Sequence, residues 1–308
     1  MLRRVISIAI LVGFLAWVGW YVSGHREAFA PILEVTWVDG LNLTLAFLLI
    51  MTGNGLFIAV VSSTLGIRLV YREYMSLSFA SSFANYFLPF RGGTGIRALY
   101  MNHVHGFPIA EFVSTLSIMY VMHSVVNGLL ALLGMGLVAV KGGPANPGLA
   151  AFFALIVVAG VVVMFIDFKV DASHSRFLLR QLGQLTRAWR AVRGNRQLLL
   201  RLWLLMLLMA LATVWQCRAA FDAVSVPLPW EGVFVYAAAK NLATLIGLTP
   251  GALGIVELVS IYLGSVLGYT TADALSVQGL IRAVAIIVLL ITGPFALMYL
   301  KRRLGVNS

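Results

Sequence analysis

Among the ionisable side chains inside or beside long apolar runs of this 308-residue chain, five could bind a charged substrate. They are Arg91, Arg97, Lys240, Glu257 and Arg282. An ionised side chain at the centre of a bilayer costs at least about 2.5–3.5 kcal/mol, so such residues are functional hypotheses by default. Because a guanidinium binds phosphate through two parallel hydrogen bonds, we expect Arg97 and Arg282 to bind an anionic headgroup that Arg91 guides at the entrance. We place Lys240 in the same binding set and expect Glu257 to hold one arginine ready or to carry a proton.

A structural role for these charges is the competing interpretation. Arg97 and Glu257 occupy similar places after two glycine-rich segments, so Glu257 could pair with Arg97, or else with Arg282, without any substrate contact. Arg91 could instead extend its side chain to the cytoplasmic interface.

The two glycine-rich segments would break any helix that contains them. They are Arg91-Gly92-Gly93-Thr94-Gly95 and Pro250-Gly251-Ala252-Leu253-Gly254. A break leaves backbone N–H groups free at the positive end of the next helix, and glycine lets a phosphate approach them. We expect anion contacts from the backbone of Gly92, Gly93, Gly95, Gly251 and Gly254. Asn85 and Asn241 precede the breaks, and we favour satisfaction of freed backbone groups over substrate contact as their role.

The sequence shows no pattern for a metal, a cofactor or a catalytic residue. His103 and His105 are two residues apart and so do not share a helix face, and no cysteine or carboxylate completes a metal site. His123 is interpreted as a hydrogen-bonded structural residue, with proton coupling as the alternative. The single cysteine, Cys217, cannot form an internal disulfide. No nucleotide-binding phosphate loop is present, so transport would be downhill or coupled to an ion gradient.

The composition is that of a membrane protein. Hydrophobic residues make up 61% of the chain and charged residues 11%, whereas a soluble domain carries about 25% charge. This excludes an ordinary soluble enzyme, a disordered chain and a disulfide scaffold. The net charge of +11 then indicates basic cytoplasmic loops and anionic membrane lipid as a partner, and not nucleic acid.

Six apolar runs are long enough to cross a bilayer, at about 20 residues each. They are residues 5–22, 41–66, 109–140, 149–168, 202–221 and 275–300. We interpret the first as a retained helix because a signal peptide has a shorter apolar core, of about 7–15 residues. Two further stretches, 75–106 and 232–268, each consist of two short arms around a break. We expect re-entrant helical hairpins there, with a kinked full span as the alternative for each.

The distribution of basic residues predicts the orientation. Residues 169–201 are rich in arginine and contain one acid, Asp171, so this loop should be cytoplasmic. With six spans and two hairpins, both chain ends are also cytoplasmic, the cell (inner) membrane is the expected location, and the hairpins enter from opposite sides. Within 169–200, an apolar stripe predicts an amphipathic helix on the anionic lipid surface or a docking surface for an enzyme partner.

Two matching sequences that follow the hairpins indicate an internal repeat. Gly106-Phe107-Pro108-Ile109-Ala110-Glu111 and Gly268-Tyr269-Thr270-Thr271-Ala272-Asp273 both read glycine, aromatic, two variable residues, alanine and an acid. We predict a single membrane domain over 1–308 with repeats at 41–140 and 201–300. Opposite entry sides make the repeat inverted, and interrupted segments at matching places in inverted halves point to the substrate site of a transporter.

The break motifs resemble those of the lysylphosphatidylglycerol synthase transmembrane-region family, whose members are also described as flippase-like. The resemblance lies in Asn85-Tyr86-Phe87-Leu88-Pro89-Phe90-Arg91-Gly92-Gly93-Thr94-Gly95-Ile96-Arg97-Ala98-Leu99 and in Thr249-Pro250-Gly251-Ala252-Leu253-Gly254-Ile255-Val256-Glu257. An acid often precedes the first-motif arginine by three residues in the family, where this chain has Thr94. A Glu-Arg pair common in the next helix is missing near Met119 and Tyr120, so the resemblance does not extend to a mechanism that needs those acids.

The resemblance implies membrane transport or an accessory role. Members joined to a soluble aminoacyltransferase domain make lysyl-lipid, and 308 residues leave no room for that domain beside the spans. We expect a non-enzymatic transporter that moves or binds an anionic lipid headgroup, either a phospholipid or a polyprenyl-phosphate-linked lipid. The alternative is a non-transporting subunit that docks a lipid-modifying or glycosyl-transferring enzyme on the basic segment. An enzyme acting on lipid phosphate through His103 or His123 is a third hypothesis.

Overall fold

The computed structural model describes residues 20, 23–24, 32–64, 66–88, 90–143, 146–165, 192 and 194–305. These residues include helices and no strand, which confirms the predicted all-α class. Nine α-helices have described bounds, and we number them in chain order. They are α1 (Trp37–Thr64), α2 (Tyr71–Phe87), α3 (Gly92–His105), α4 (Ile109–Val140), α5 (Pro147–Phe165), α6 (Arg196–Ala223), α7 (Trp230–Thr244), α8 (Ile255–Leu267) and α9 (Thr271–Arg303), with a 3₁₀ turn at Pro250–Ala252.

Six described segments are long and apolar enough to cross a membrane. Five of them lie in α1, α4, α5, α6 and α9 and correspond to predicted spans. The sixth is Pro250–Leu267, within a stretch that we expected to hold only arms too short to cross. That expectation is wrong, because the 3₁₀ turn lies directly before α8 and lengthens the apolar segment to 18 residues. The predicted span at 5–22 and most of the basic segment 169–200 lie outside the described residues.

The repeated glycine-aromatic motif ends each hairpin and begins the long helix that follows. Gly106 and Gly268 cap α3 and α8 in the left-handed region, at φ 63° and 86°, which glycine adopts without steric penalty. The aromatic side chains that follow, Phe107 and Tyr269, are buried. The acid that closes the motif stands in the first turn of α4 and of α9, where negative charge is favourable. Helix ends thus account for the glycine and the acid of the motif, and burial accounts for the aromatic residue.

Each of the two broken stretches turns back on itself, so that α2 packs on α3 and α7 packs on α8. In the first hairpin the approach is very close, because a Cβ on Gly93 would stand 1.8 Å from the carbonyl oxygen of Ser81. The chain reverses through Phe90 and Arg91, whose φ angles are 56° and 52°. Residues other than glycine seldom adopt this backbone conformation. The second hairpin reverses through the 3₁₀ turn, where Gly251 has φ 57°.

The open ends of the hairpins lie at opposite ends of α4. This helix starts directly after α3, at the open end of the first hairpin. It finishes at the open end of the second, where Lys141 donates to Glu231 at 2.9 Å and Gly134 packs against the Glu231 backbone. Conversely, α9 starts after α8 and ends beside the first hairpin, where Leu300 packs in one cluster with Leu77. The two tips therefore point toward each other.

The packing partners of the two halves correspond. Helix α1 packs against α6, α2 against α9, and α7 against α4, so exchanging the halves returns the same pairs. Small residues permit these close contacts: Gly53 of α1 lies against Met209 of α6, and Gly293 of α9 lies against Phe83 of α2. Helix α5 packs mainly on α4 and exposes apolar side chains such as Leu155, as expected of a lipid-facing helix.

Candidate functional site

The tips of the two hairpins meet each other. Nη2 of Arg91, at the first tip, donates to the carbonyl oxygen of Thr244, where α7 ends. The same side chain passes over Gly247. In return, Gly251 of the second tip lies against Tyr86 at the end of α2. Segments that are far apart in the chain thus come together at one place.

A cavity of about 280 Å³ opens beside the tips. Every described helix except α5 contributes to its lining. On α1, α4 and α6 the lining residues lie near the middle of the helix. Six of the seven residues whose side chains are predicted to bind the substrate line the cavity together, namely Asn85, Arg91, Arg97, Lys240, Asn241 and Arg282.

Arg97 and Lys240 are buried cations, 6% and 8% exposed. Nε of Arg97 has no hydrogen-bond partner, and the guanidinium carbon stands 5.4 Å from the ring centre of Phe112. Nζ of Lys240 donates to Oε1 of Gln216 at 3.1 Å, which uses one of the three N–H groups of the ammonium. Buried polar groups are normally hydrogen-bonded, and Nε of Arg97 is one of four buried side-chain atoms of the described residues without a partner.

Arg282 and Glu257 form a buried ion pair. Nε of Arg282 donates to Oε1 of Glu257 at 2.8 Å, and Nη1 donates to the carbonyl oxygen of Gly251 at 3.0 Å. The other carboxylate oxygen accepts from the backbone N–H of Gly254 at 2.7 Å. This pair fastens the second tip to α8 and α9. Of the two partners considered for Glu257, the structure shows Arg282 and leaves Arg97 apart.

Arg91 joins the two tips directly. Besides its bond to Thr244, its Nη1 donates to the hydroxyl of Tyr120. The guanidinium carbon lies 4.8 Å from the centre of the Tyr120 ring, within the range of a cation–π contact. The side chain is therefore directed into the cavity, where it closes part of the gap between the hairpins.

The two asparagines make different contacts. Oδ1 of Asn85 accepts from the backbone N–H of Thr94 at 3.3 Å, and the same N–H also donates to the carbonyl oxygen of Arg91 at 2.8 Å. Nδ2 of Asn241 donates to Oδ1 of Asn127 at 2.9 Å and so links α7 to α4. His123 also lines the cavity, and its buried Nε2 has no hydrogen-bond partner.

The break glycines hold varied positions. Gly251 lines the cavity, Gly93 packs α3 on α2, and Gly92 lies against the side chain of Leu88. The N–H of Gly254 is bonded to a carboxylate of its own helix, while Gly95 faces open space. A direct anion contact from these backbones stays a prediction.

The cavity lining is positively charged. It contains four cationic side chains and, among the residues that the structure describes, no carboxylate. Among the described carboxylates, only Glu257 pairs with one of these cations, and it does so without lining the cavity itself. The described residues contain no group of three or more His, Cys, Asp or Glu that could hold a metal ion. The arrangement is suited to an anion such as a phosphate.

Sequence reasoning does not identify several polar residues of the cavity. Gln216 and Gln278 line it from inside apolar helices, and a search for amide side chains within apolar runs would find both. Tyr86 and Tyr120 also line it. From the sequence, both are named only in the description of the family motifs, and neither receives a functional role. Their position depends on which helices pack around the tips.

A protein-family model described as the lysylphosphatidylglycerol synthase TM region matches residues 4–293. This range covers nearly the whole chain and includes every residue that lines the cavity. No curated protein matches the chain.

Proposed function

This chain belongs to the lysylphosphatidylglycerol synthase transmembrane-region family, and from that premise we propose that it binds an anionic lipid headgroup in the central cavity and carries it across the membrane. As a multi-pass membrane protein of this family it fits a role connected with membrane lipid. One observation supports the transport role most strongly. Four cationic side chains line a cavity at the meeting point of two hairpin tips, and the buried Nε of Arg97 has no partner there.

The helix arrangement supports a binding site at mid-depth in the membrane. Helix α4 has 32 residues and is therefore about 48 Å long, more than the roughly 30 Å of a hydrocarbon core. If α4 crosses the bilayer, hairpins that open at its two ends enter from opposite sides, and their tips meet between the two surfaces. We infer re-entrant hairpins in an inverted repeat, 41–140 and 201–300, with the substrate site at the interface of the repeats.

The cations of the cavity have different tasks in this proposal. Arg97 and Lys240 contact the headgroup, because no acid occupies their donors. Arg282 is held by Glu257 and positions the second tip, while Arg91 controls the approach between the tips. The cavity of about 280 Å³ lies just below the range of about 300–1,000 Å³ for small-molecule pockets, a size that suits a headgroup alone while the lipid tails stay in the bilayer.

We propose that both termini are cytoplasmic, and the distribution of exposed basic residues supports this for the C-terminal end. The first hairpin opens beside the end of α9, so the basic residues of both places lie on one side of the protein. These exposed residues are Arg68, Arg72, Lys301, Arg302 and Arg303. Clustered lysine and arginine mark the cytoplasmic side of a membrane protein, and the cell (inner) membrane is the location we propose.

Lipid movement in liposomes that contain only the purified chain tests the proposal. Phosphatidylglycerol and a polyprenyl phosphate, each with a fluorescent label, are followed by quenching the outer leaflet. We compare the wild type with Arg97→Gln and with the control Arg201→Gln, which changes an exposed arginine of α6 outside the cavity. A hydrogen bond to a charged group contributes about 1.5–3 kcal/mol, so Arg97→Gln should slow the movement of at least one lipid by about tenfold or more.

Two outcomes contradict the proposal. One is a rate for both lipids equal to that of liposomes without protein, which together with stable co-purification of an enzyme would favour a docking subunit. The other is movement by the wild type that Arg97→Gln leaves unchanged.

A further inference from the structure

We propose that the cavity selects a headgroup with two negative charges on one phosphate, a phosphate monoester, over the single charge of a phosphodiester. This inference rests on the proposed function, because it names the charge class of the lipid that would occupy the same cavity.

The charges of the cavity lining are unbalanced. Arg282 is neutralised by Glu257, which lies at hydrogen-bond distance. Arg91, Arg97 and Lys240 have no carboxylate in the described lining. The hydrogen bonds recorded for Arg91 and Lys240 go to neutral oxygens, namely a hydroxyl, a carbonyl and an amide. Three cations therefore remain for a ligand to neutralise.

Burial makes this imbalance costly for the empty protein. An isolated buried charge is unfavourable unless it is paired, and Arg97 and Lys240 are the two most buried of the three cations. A phosphodiester headgroup supplies one negative charge and leaves two cations unpaired. A phosphate monoester carries about −1.5 to −2 at neutral pH and leaves one, whereas a zwitterionic headgroup adds a further cation.

The donors also face the ligand from both hairpins. Arg97 belongs to the first hairpin and Lys240 to the second, and His123, whose buried Nε2 has no hydrogen-bond partner among the described residues, lines the cavity from α4. A monoester has three phosphate oxygens without a substituent, and a diester has two. The oxygens of a monoester can therefore be contacted by both hairpins and by α4 together, as charge-assisted hydrogen bonds.

The test compares two lipids with identical acyl chains and different phosphate chemistry. Dioleoyl phosphatidate is the monoester and dioleoyl phosphatidylglycerol the diester, with dioleoyl phosphatidylcholine as the zwitterion. Each is titrated into the full chain in a neutral detergent, and its affinity is obtained from the rise in the thermal unfolding midpoint, because a ligand that binds the folded state stabilises it. We expect phosphatidate to bind about tenfold tighter than phosphatidylglycerol, which corresponds to about 1.4 kcal/mol.

Variants connect this preference to the cavity. Lys240→Met removes one uncompensated cation with little change in side-chain length, and it should reduce the ratio of the two affinities severalfold. The surface control Arg201→Gln should leave the ratio at its wild-type value. Inorganic phosphate in the same assay distinguishes a lipid ligand from free phosphate. If it binds more weakly than phosphatidate, the ligand is a lipid, and if it binds more tightly, the ligand is free phosphate. The preference for a doubly charged phosphate holds in either case.

The failures of the two proposals can be told apart. Equal affinity for phosphatidate and phosphatidylglycerol, both weakened by Arg97→Gln, overturns the charge preference and leaves the lipid-binding site standing. Binding of neither lipid, or binding that Arg97→Gln leaves unchanged, overturns the proposed function as well. A phosphatidate preference that Lys240→Met leaves intact also overturns the inference, because the preference would then arise outside the cavity.

Discussion

Replacing Gly93 by alanine should force the arms of the first hairpin apart. The added Cβ would lie 1.8 Å from the carbonyl oxygen of Ser81 and 2.9 Å from Oδ1 of Asn85, whereas ordinary contact begins at 3.4 Å. The arms would have to separate by roughly 1.6 Å, since the main obstacle is backbone and no side-chain rotation relieves it. Because Asn85 accepts from Thr94 across this contact, that hydrogen bond would be lost too.

The expected cost follows from three terms. Overpacking of a well-packed interior costs about 1–3 kcal/mol and sometimes more, and a lost hydrogen bond adds about 1 kcal/mol. Alanine is a better helix former than glycine and returns up to about 1 kcal/mol. We expect Gly93→Ala to lower the free energy of unfolding by about 1–4 kcal/mol.

Gly95→Ala is the matched control for this prediction. Gly95 lies in the same helix, is exposed, and has no atom within 4 Å of an added Cβ. Its replacement should be neutral or should stabilise α3 by up to about 1 kcal/mol. Thermal unfolding of both variants in one detergent, followed by tryptophan fluorescence, gives the difference. If the two variants unfold at the same temperature, the close packing of α3 on α2 is wrong.

Three further predictions concern ion pairs and hydrogen bonds of the hairpins. Glu257→Gln should lower the free energy of unfolding by about 3–5 kcal/mol, because it leaves Arg282 without its charged partner. In a double-mutant cycle followed by thermal unfolding, adding Arg282→Gln should recover much of this loss, and additive effects of the two substitutions would refute the coupling. Arg91→Ala should lower stability by about 1.5–3 kcal/mol, since a charged group then no longer joins the tips, and an unchanged unfolding midpoint would count against the contact. Glu73→Gln should speed amide exchange in α2 and α3, because the buried Glu73 carboxylate accepts from the Tyr100 hydroxyl at 2.7 Å; wild-type exchange rates would show that this bond does not hold the hairpin closed.

The helical layout is largely predictable because its signals are local. The apolar run predicted over 109–140 has the bounds of α4, since the length of a lipid-spanning helix follows from hydropathy. The glycines after each hairpin occupy the capping positions of α3 and α8. The second tip is less predictable, because residues 250–252 form a 3₁₀ turn that lengthens an arm taken to begin at Ile255.

The candidate site is predictable as a set of residues but not as a set of contacts. Six of the selected polar residues do line one cavity, because charge inside apolar sequence is costly and needs a shared polar environment. The sequence leaves the partner of Glu257 open between Arg97 and Arg282. It also assigns no functional role to Tyr120, whose hydroxyl accepts from Arg91.

The amino-acid sequence by itself determines which segments are helical, where they break and which charges they carry, since hydropathy, glycine and proline act over a few residues. Only the tertiary structure decides which cation is neutralised and which is left for a ligand. Arg282 meets Glu257 across 25 positions of the chain, and Arg91 meets Thr244 across 153. Electrostatic pairing depends on distance in space, and these distances are set by the packing of the two hairpins against α4 and α9.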